Sequence, residues 1–271
     1  MNQGKEGRKF VYPDSFIKLL GYMRVYFHLP YRQTEGIVRA HAANTLPSSI
    51  PDYSRICRRI NKLDIKINYD DDDDVTKSSL HDDNFVIAID STGVKVTNRG
   101  EWIRHKWKVK RGYLKIHIAV DIKKKRILSL IVTSEQVHDG KILPYLVNDI
   151  TIKQNKVVET AIMDGAYDSN NNFQFLSFRG IKPAIKVRKN AKYRKTNHYL
   201  RNKNIQLQKT NLQQWKNSID YGQRWIAETV FSCIKRMFDG EYVTAVRFEN
   251  MVKEMILKAS LYNWFQSITI T

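Results

Sequence analysis

"NFVIAID", residues 84–90, is a short apolar run that ends on a carboxylate. Its length and its β-branched content suit a buried strand better than a helix. Two more apolar runs follow, YLKIHIAVD (113–121) and RILSLIVTSEQ (126–136), joined by the turn IKKK, and together they predict an antiparallel meander. Asp121 ends the first of them as a hairpin-turn residue, and His117 within it reads as an ordinary partly buried histidine. Beyond the meander the pattern alternates. DGKILPYLVNDI predicts a helix capped by Asp139, and ETAIMD (159–164) a second buried strand ending in Asp. SNNNFQFLSFRG predicts a helix closed by Gly180, with Asp168 as its N-cap, and KPAIKV (182–187) a further strand.

Three strands in a row, then helix and strand in alternation, predict an α/β chain with a mixed sheet. The order is that of a ribonuclease-H-like fold. The segment upstream has a different texture. Residues 14–66 predict short helices: DSFIKLLGYMRVYFHL, then YRQTEGIVRAHAANT after Pro30, then PDYSRICRRINKL, which opens on a Pro–Asp helix-start signal. In the third helix Ile56, Ile60 and Leu63 share one face, and Arg55, Arg58, Arg59 and Lys62 share another. That basic stripe is expected either to read DNA in helix-turn-helix fashion or to be a solvated face of a bundle. The run Asp70–Asp74 is five like charges without convergent geometry, hence a linker rather than a metal site. The expected division is a small all-α DNA-binding region over 1–74, with its acidic linker at 70–74, and a catalytic domain over 75–271.

The formal charge of +19 and pI near 9.8 point to a polyanionic partner, with nucleic acid first. No stretch approaches the roughly 18 apolar residues of a membrane span. The opening MNQGKEGRKF has no apolar h-region, which argues against secretion. Cys57 and Cys233 are the only cysteines, so a disulfide scaffold is not expected and a reducing cytoplasm suits the chain. Two segments add to the basic character. EWIRHKWKVKRGYLK (101–115) carries Arg104, Lys106, Lys108 and Arg111 among interleaved aromatics, and KVRKNAKYRKTNHYLRNK (186–203) carries Arg188 and Lys189. Basic groups neutralise phosphates and aromatics stack on unpaired bases, so both segments are expected DNA contacts.

YGQRWIAETVFSCIKR (221–236) predicts an amphipathic helix. At about 100° per residue, Tyr221, Arg224, Glu228 and Lys235 fall in one narrow stripe. Ile226, Val230, Cys233, Ile234 and Met237 fall opposite and predict a core face. Alone, the stripe is a solvated Arg–Glu ladder. The strand-end carboxylates alter that reading. Asp90 and Asp164 can meet if their strands are neighbours, because ligands gather at the carboxyl ends of strands in open α/β sheets. A helix crossing that edge can add Glu228. Three converging carboxylates need cations, and hard oxygen ligands select Mg²⁺ or Mn²⁺. Asp139 and its neighbour His138 are spare candidates for the same cluster.

The spacing Tyr221, two residues, Arg224, three residues, Glu228, six residues, Lys235 resembles the Y–R–E–K signature of DDE transposases of bacterial and archaeal insertion sequences. IAIDSTGVK and IMDGAYDS resemble the segments bearing that family's first and second catalytic Asp, and LPYRQTEGIV and IPDYSRICRR are similar to the branch usually numbered five. The resemblance covers about residues 84–265. It implies Asp90, Asp164 and Glu228 as catalytic metal ligands for two Mg²⁺ or Mn²⁺ ions, with Tyr221, Arg224 and Lys235 facing DNA. It implies a cytoplasmic, nucleoid-associated prokaryotic enzyme without a small-molecule cofactor. Such an enzyme binds the terminal inverted repeats of its element and target DNA, acts as a homodimer on DNA, and performs hydrolysis followed by 3′-hydroxyl strand transfer. The alternatives are a metal-dependent nuclease or resolvase that does not join, and a non-catalytic repressor.

Overall fold

The computed structural model describes residues 12–42, 50–67, 84–97, 112–193 and 199–269. The acidic run Asp70–Asp74 and the basic residues Arg104, Lys106, Lys108 and Arg111 lie outside them. The fold is a mixed sheet with helices on both faces. Strand β1 (Phe85–Val96) sits at its centre. It pairs antiparallel with β2 (Tyr113–Asp121), which pairs antiparallel with β3 (Ile127–Ser134). On its other side β1 pairs parallel with β4 (Val158–Met163), which pairs parallel with β5 (Lys182–Ile185). The order β3-β2-β1-β4-β5 is that of a ribonuclease-H-like sheet, as the order of the apolar runs predicts.

The pleat sends alternate residues to opposite faces. Ile87 and Ile89 enter a core with Leu143, Leu146 and Val147 of α4 (Asp139–Asn148) and Phe173 and Leu176 of α5 (Asn170–Phe178). Ala88 and Val94 enter the opposite core. There they meet Ile226, Ala227, Val230, Phe231 and Ile234 of α8 (Trp225–Met237) and the long α9 (Phe248–Thr269). The same core takes in Ile17 and Leu20 of α1 (Asp14–Tyr26) and Ile56 and Ile60 of α3 (Tyr53–Lys62). Between these two N-terminal helices runs α2 (Tyr31–Ala42). The sheet is thus buried on both faces, and its strands read as nearly continuous apolar runs.

Several elements depart from the sequence expectations. Asp90 does not end a strand: β1 continues to Val96, because β2 pairs along it as far as Lys95↔Tyr113 and Val94 is fully buried. The short β6 (Tyr242–Val243) then pairs with its far end, Lys95↔Tyr242. The basic segment before the signature helix contains α6 (Tyr199–Thr210) and α7 (Leu212–Ser218). The signature itself is a 3-10 turn, Tyr221–Arg224, followed by α8. Met237 is exposed rather than in the core. The chain turns back sharply after it: Phe238 is fully buried, and the Gly240 amide donates to the Ile234 carbonyl at 3.0 Å. A side chain at Gly240 would collide with that carbonyl, since a Cβ there would stand 2.7 Å from its oxygen. Asp168 does not cap α5. Ser169 does, its hydroxyl accepting from the Asn172 amide. Asp139 begins α4 without capping it, since the N-cap residue is His138, which is exposed and makes no side-chain cap bond.

Candidate active site

The register of β1 and β4 pairs Ala88 with Ile162. Two residues further on, the same register sets Asp90 beside Asp164, which immediately follows β4. Both therefore share the sheet face that α8 covers. Asp164 is fixed by its own turn, with Oδ1 accepting the Ala166 amide at 2.8 Å at the start of the 3-10 turn Gly165–Tyr167. Asp90 is fixed from two sides. Its Oδ1 accepts the Ser91 amide at 2.8 Å, and its Oδ2 accepts Nη1 of Arg224 at 2.9 Å. The other Arg224 nitrogen, Nη2, donates to Glu228 one turn along. One guanidinium therefore bridges Asp90 to Glu228. Lys235, two turns on, donates to the Thr92 hydroxyl at 2.9 Å, so α8 is stapled to β1 at both ends of this stretch.

The electrostatics of Asp90 are unfavourable for an isolated carboxylate. Burial raises its pKa, and the negative charges of Asp164 and Glu228 raise it further, against the lowering effect of the Ser91 amide and Arg224. Arg224 is the cation that balances the cluster in this arrangement. Among the described residues no three His, Cys, Asp or Glu side chains already stand as a metal cluster. The donors nevertheless suit a hard divalent cation: carboxylate oxygens brought together by the register and the Arg224 bridge, with Asp90 desolvated among them.

The opposite face of β1 carries a second polar group of residues. Ser91, one residue after Asp90, points to the α4 side and donates from Oγ to Asp139 Oδ1 at 2.9 Å. Lys115 Nζ lies 3.1 Å from the same oxygen and His117 Nδ1 lies 3.5 Å from it. His117 is fully buried, its Nε2 is 3.0 Å from the Thr133 hydroxyl, and burial lowers its pKa to about 4. Asp139 thus supports β1 beside Asp90 instead of capping its helix, and His138 stays at the surface.

The rim beyond Asp164 is held by Asp168. Its carboxylate accepts Nε and Nη2 of Arg201 from α6 at 2.6 and 3.0 Å and the Arg188 amide at 3.1 Å. Arg188 Nε in turn donates to the Gly165 carbonyl at 2.9 Å, which places this basic side chain next to Asp164, while Lys189 is exposed. Tyr221 lies elsewhere than the stripe suggests. It is buried against the Trp215 ring, and its hydroxyl donates to the Met163 carbonyl at 3.1 Å. On α3, Arg58 bonds Ser54, Arg55 pairs with Asp52 at 3.8 Å, and Lys62 is exposed. Arg59 is turned inward to Asp14 and the Tyr12 carbonyl, so it ties α3 to α1.

A family model described as the transposase DDE domain matches residues 83–264, and a second with the same description matches residues 1–99. Among solved structures, a piggyBac transposase synaptic complex with hairpin DNA aligns at 10% identity and a TM-score of 0.49, over 99% of this chain and 68% of that one. A simian T-cell lymphotropic virus intasome in complex with PP2A regulatory subunit B56 gamma aligns at 12% identity and a TM-score of 0.29, over 76% and 67%. With the first family model spanning the whole sheet, the carboxylate cluster and α8, this chain belongs to the DDE transposase family.

Proposed function

We propose that this chain is a metal-dependent DNA transposase. In this reading it binds the terminal inverted repeats of its element, cuts a phosphodiester at the element end, and joins the freed 3′-hydroxyl to target DNA. The observation that carries the reading is the meeting of Asp90 and Asp164 at neighbouring register positions, with Glu228 linked to Asp90 through Arg224. Asp90, Asp164 and Glu228 would hold two Mg²⁺ or Mn²⁺ ions. When bound, these would supply Lewis acidity to the attacking water or hydroxyl and to the leaving oxygen. The chain's own groups do the rest. Arg224, freed from Asp90, and Lys235 would hold phosphate oxygens in line. Ser91 and Asp139 would keep the β1 carboxylate from turning away.

The first three helices support the DNA-binding half of the proposal. The exposed Arg55, Arg58 and Lys62 present one basic face of α3, Arg188 lies on the rim next to Asp164, and Lys189 beside it in sequence is exposed. We place the boundary between the DNA-reading region and the catalytic domain at residue 74. Two element ends must be held together, so a homodimer on DNA follows from the reaction, and the bacterial or archaeal cytoplasm is its setting. Among the described residues no helix is long and apolar enough to cross a membrane.

The test uses purified protein, Mg²⁺, a labelled duplex carrying the element end and a supercoiled target. Cleavage and joining, both lost in Glu228→Gln while DNA binding persists, are the expected result. Cleavage without joining would leave a nuclease. Tight binding without cleavage by either protein would leave a repressor.

A further inference from the structure

A cavity of about 570 Å³ lies between the first three helices and the return from α8 into α9. Arg24 and Asn61 line it from the first side, and Asp239 and Arg247 from the second. It is separate from the carboxylate cluster: Phe238, on its wall, follows Glu228 by about three turns of helix, roughly 15 Å at 1.5 Å per residue. Cavities of roughly 300–1,000 Å³ are the size that buries a small organic ligand.

The charge on its walls is not balanced. Arg24 is half-buried, and among the described residues it has no ion pair. Its Nη2 donates to the Thr244 hydroxyl at 3.1 Å, its guanidinium stands 4.4 Å over the Tyr31 ring, and its Nε is buried without a partner. Glu254 lines the same cavity but is already engaged. It accepts the amides of Thr244 and Ala245 and pairs with Lys258 at 3.3 Å. Lys258 also donates to the carbonyls of Asp239 and Tyr242, so that pair is filled and neutral. The exposed Arg247 adds a second cation, against the one remaining carboxylate of Asp239. Helix dipoles do not decide the sign, since α1 and α8 end at the cavity while α2 and α9 begin there. A partly desolvated guanidinium without a counter-ion favours an anionic guest.

The rest of the lining describes the body that carries the anion. Val25, Ile60 and Leu257 back the cavity, and Val246 stands 78% exposed at its edge. Asn61 and Asn250 set half-buried amides on the wall. Asn61 Nδ2 makes only a weak contact, 3.6 Å from the Cys57 sulfur. A side-chain amide offers a donor beside an acceptor, the pattern that matches the edge of a nucleobase. Cys57 and Asn61 each stand one residue before the exposed Arg58 and Lys62, so the cavity flanks the basic face of α3. A flat ring with a polar edge and an attached anion is a nucleotide.

We propose that this cavity binds a nucleotide. Its phosphate lies on Arg24 and Arg247, and its base lies along the apolar wall with its edge toward Asn61 and Asn250. The same chemistry is offered by a free nucleoside monophosphate and by an unpaired nucleotide of a bound DNA strand. The proposal is independent of the metal-dependent reading above.

The test uses the full chain, the four deoxynucleoside monophosphates, inorganic phosphate, a blunt duplex, and the same duplex with an unpaired 2-aminopurine overhang. The two cysteines supply the readout, because Cys57 lines the cavity and Cys233 does not. Iodoacetamide labelling, followed by mass spectrometry, should slow at Cys57 and not at Cys233 when a nucleotide is bound. Affinity should fall about tenfold or more in Arg24→Gln and in Arg247→Ala, the scale of one charge-assisted hydrogen bond. Arg247 is exposed, so its variant keeps the test valid if Arg24→Gln folds poorly. Protection of Cys57 by a free monophosphate assigns a free nucleotide. Protection by the overhang duplex and not by the blunt one, with altered 2-aminopurine fluorescence, assigns an unpaired nucleotide of DNA. Failure of every nucleotide to protect Cys57 overturns the proposal, as does an affinity unchanged in Arg247→Ala. Inorganic phosphate that binds as tightly as the nucleotides also overturns it, since the cavity would then read only an anion. Normal cleavage and joining by a protein that fails these tests would leave the metal-dependent reading standing.

Discussion

Arg224→Gln should tighten divalent-metal binding in the absence of DNA, although it removes a residue at the centre of the site. The guanidinium makes two ion pairs of unequal value. Its bond to Asp90 is 2.9 Å long between side chains that are 24% and 17% exposed, a partly buried, charge-assisted contact worth about 1.5–3 kcal/mol. Its bond to Glu228 reaches a carboxylate that is 56% exposed, and an exposed pair one helical turn apart is worth only about 0.3–0.5 kcal/mol. A metal ion that recruits Asp90 must displace the first contact, so wild-type affinity is reduced by roughly its value. Removing the competitor should therefore lower the Mn²⁺ Kd about 10- to 140-fold, at about 1.4 kcal/mol per tenfold. Glutamine keeps a hydrogen-bonding head without the charge. Arg224→Lys keeps the charge without the fork and should fall between the two.

Titration calorimetry with Mn²⁺ at neutral pH, on DNA-free protein, gives the answer directly. Equal or weaker binding by Arg224→Gln would refute the idea that Arg224 is the cation occupying the site in the metal-free state. A second readout constrains the same reasoning: without metal the variant should be less stable by about 1–2 kcal/mol, because Asp90 loses the cation that touches its Oδ2, and Mn²⁺ should narrow that gap. By linkage, a DNA end that draws Arg224 onto a phosphate should raise metal affinity in the wild type and do so much less in the variant.

Three further outcomes are expected. Asp168→Ala strands the largely buried Arg201 charge, so it should cost about 3–5 kcal/mol in urea denaturation, or roughly 6–15 °C in Tm; a cost under about 1 kcal/mol would show that the carboxylate does not hold the rim. His117 is neutral in the fold, with its pKa lowered to about 4, while the unfolded chain protonates it near 6.5. Its contribution to stability is therefore present above about pH 6.5 and lost as pH falls, by about 2 kcal/mol at pH 5, and His117→Gln should flatten that part of the urea-midpoint profile. Tyr221→Phe should lower stability by about 1 kcal/mol through the lost bond to the Met163 carbonyl and leave the salt dependence of DNA binding unchanged. A reduced salt slope at unchanged stability would instead make Tyr221 a phosphate contact.

The sheet was legible because both of its faces are covered, so each strand announces itself as an apolar run bounded by turn residues. The α8 core face was legible in part, since Ile226, Val230 and Ile234 follow helical spacing. Helix α9 left no such signal. It is packed by α1 and α3 on one side and β3 on another, so apolar residues surround it and no stripe stands out. Its buried polar residues also look like a solvent face in the sequence. Glu254 in fact accepts the amides of Thr244 and Ala245, Lys258 donates to the carbonyls of Asp239 and Tyr242, and Asn263 closes both backbone groups of Ile127. The partners of Asp90 and Asp139 were hidden for another reason. Arg224 is 134 residues from Asp90, and Ser91 is 48 residues from Asp139. Spacing within one element can propose that a stripe exists, but it cannot say which strand the stripe will meet.

Those same contacts separate structural polarity from functional polarity. Around α9 and Asp168, the buried Glu254, Lys258, Asn263 and Asp168 each find partners. Around Asp90 the balance fails. A desolvated carboxylate has its pKa raised although a guanidinium touches it. Local rules are broken there while the supports on either side, Ser91–Asp139 and Asp168–Arg201, are fully made. A fold that spends order on holding unfavourable groups in place is preorganised for something that satisfies them. In the proposed reading, that something would be a divalent cation, and a polyanionic substrate would account for the exposed basic residues of α3 and of the rim.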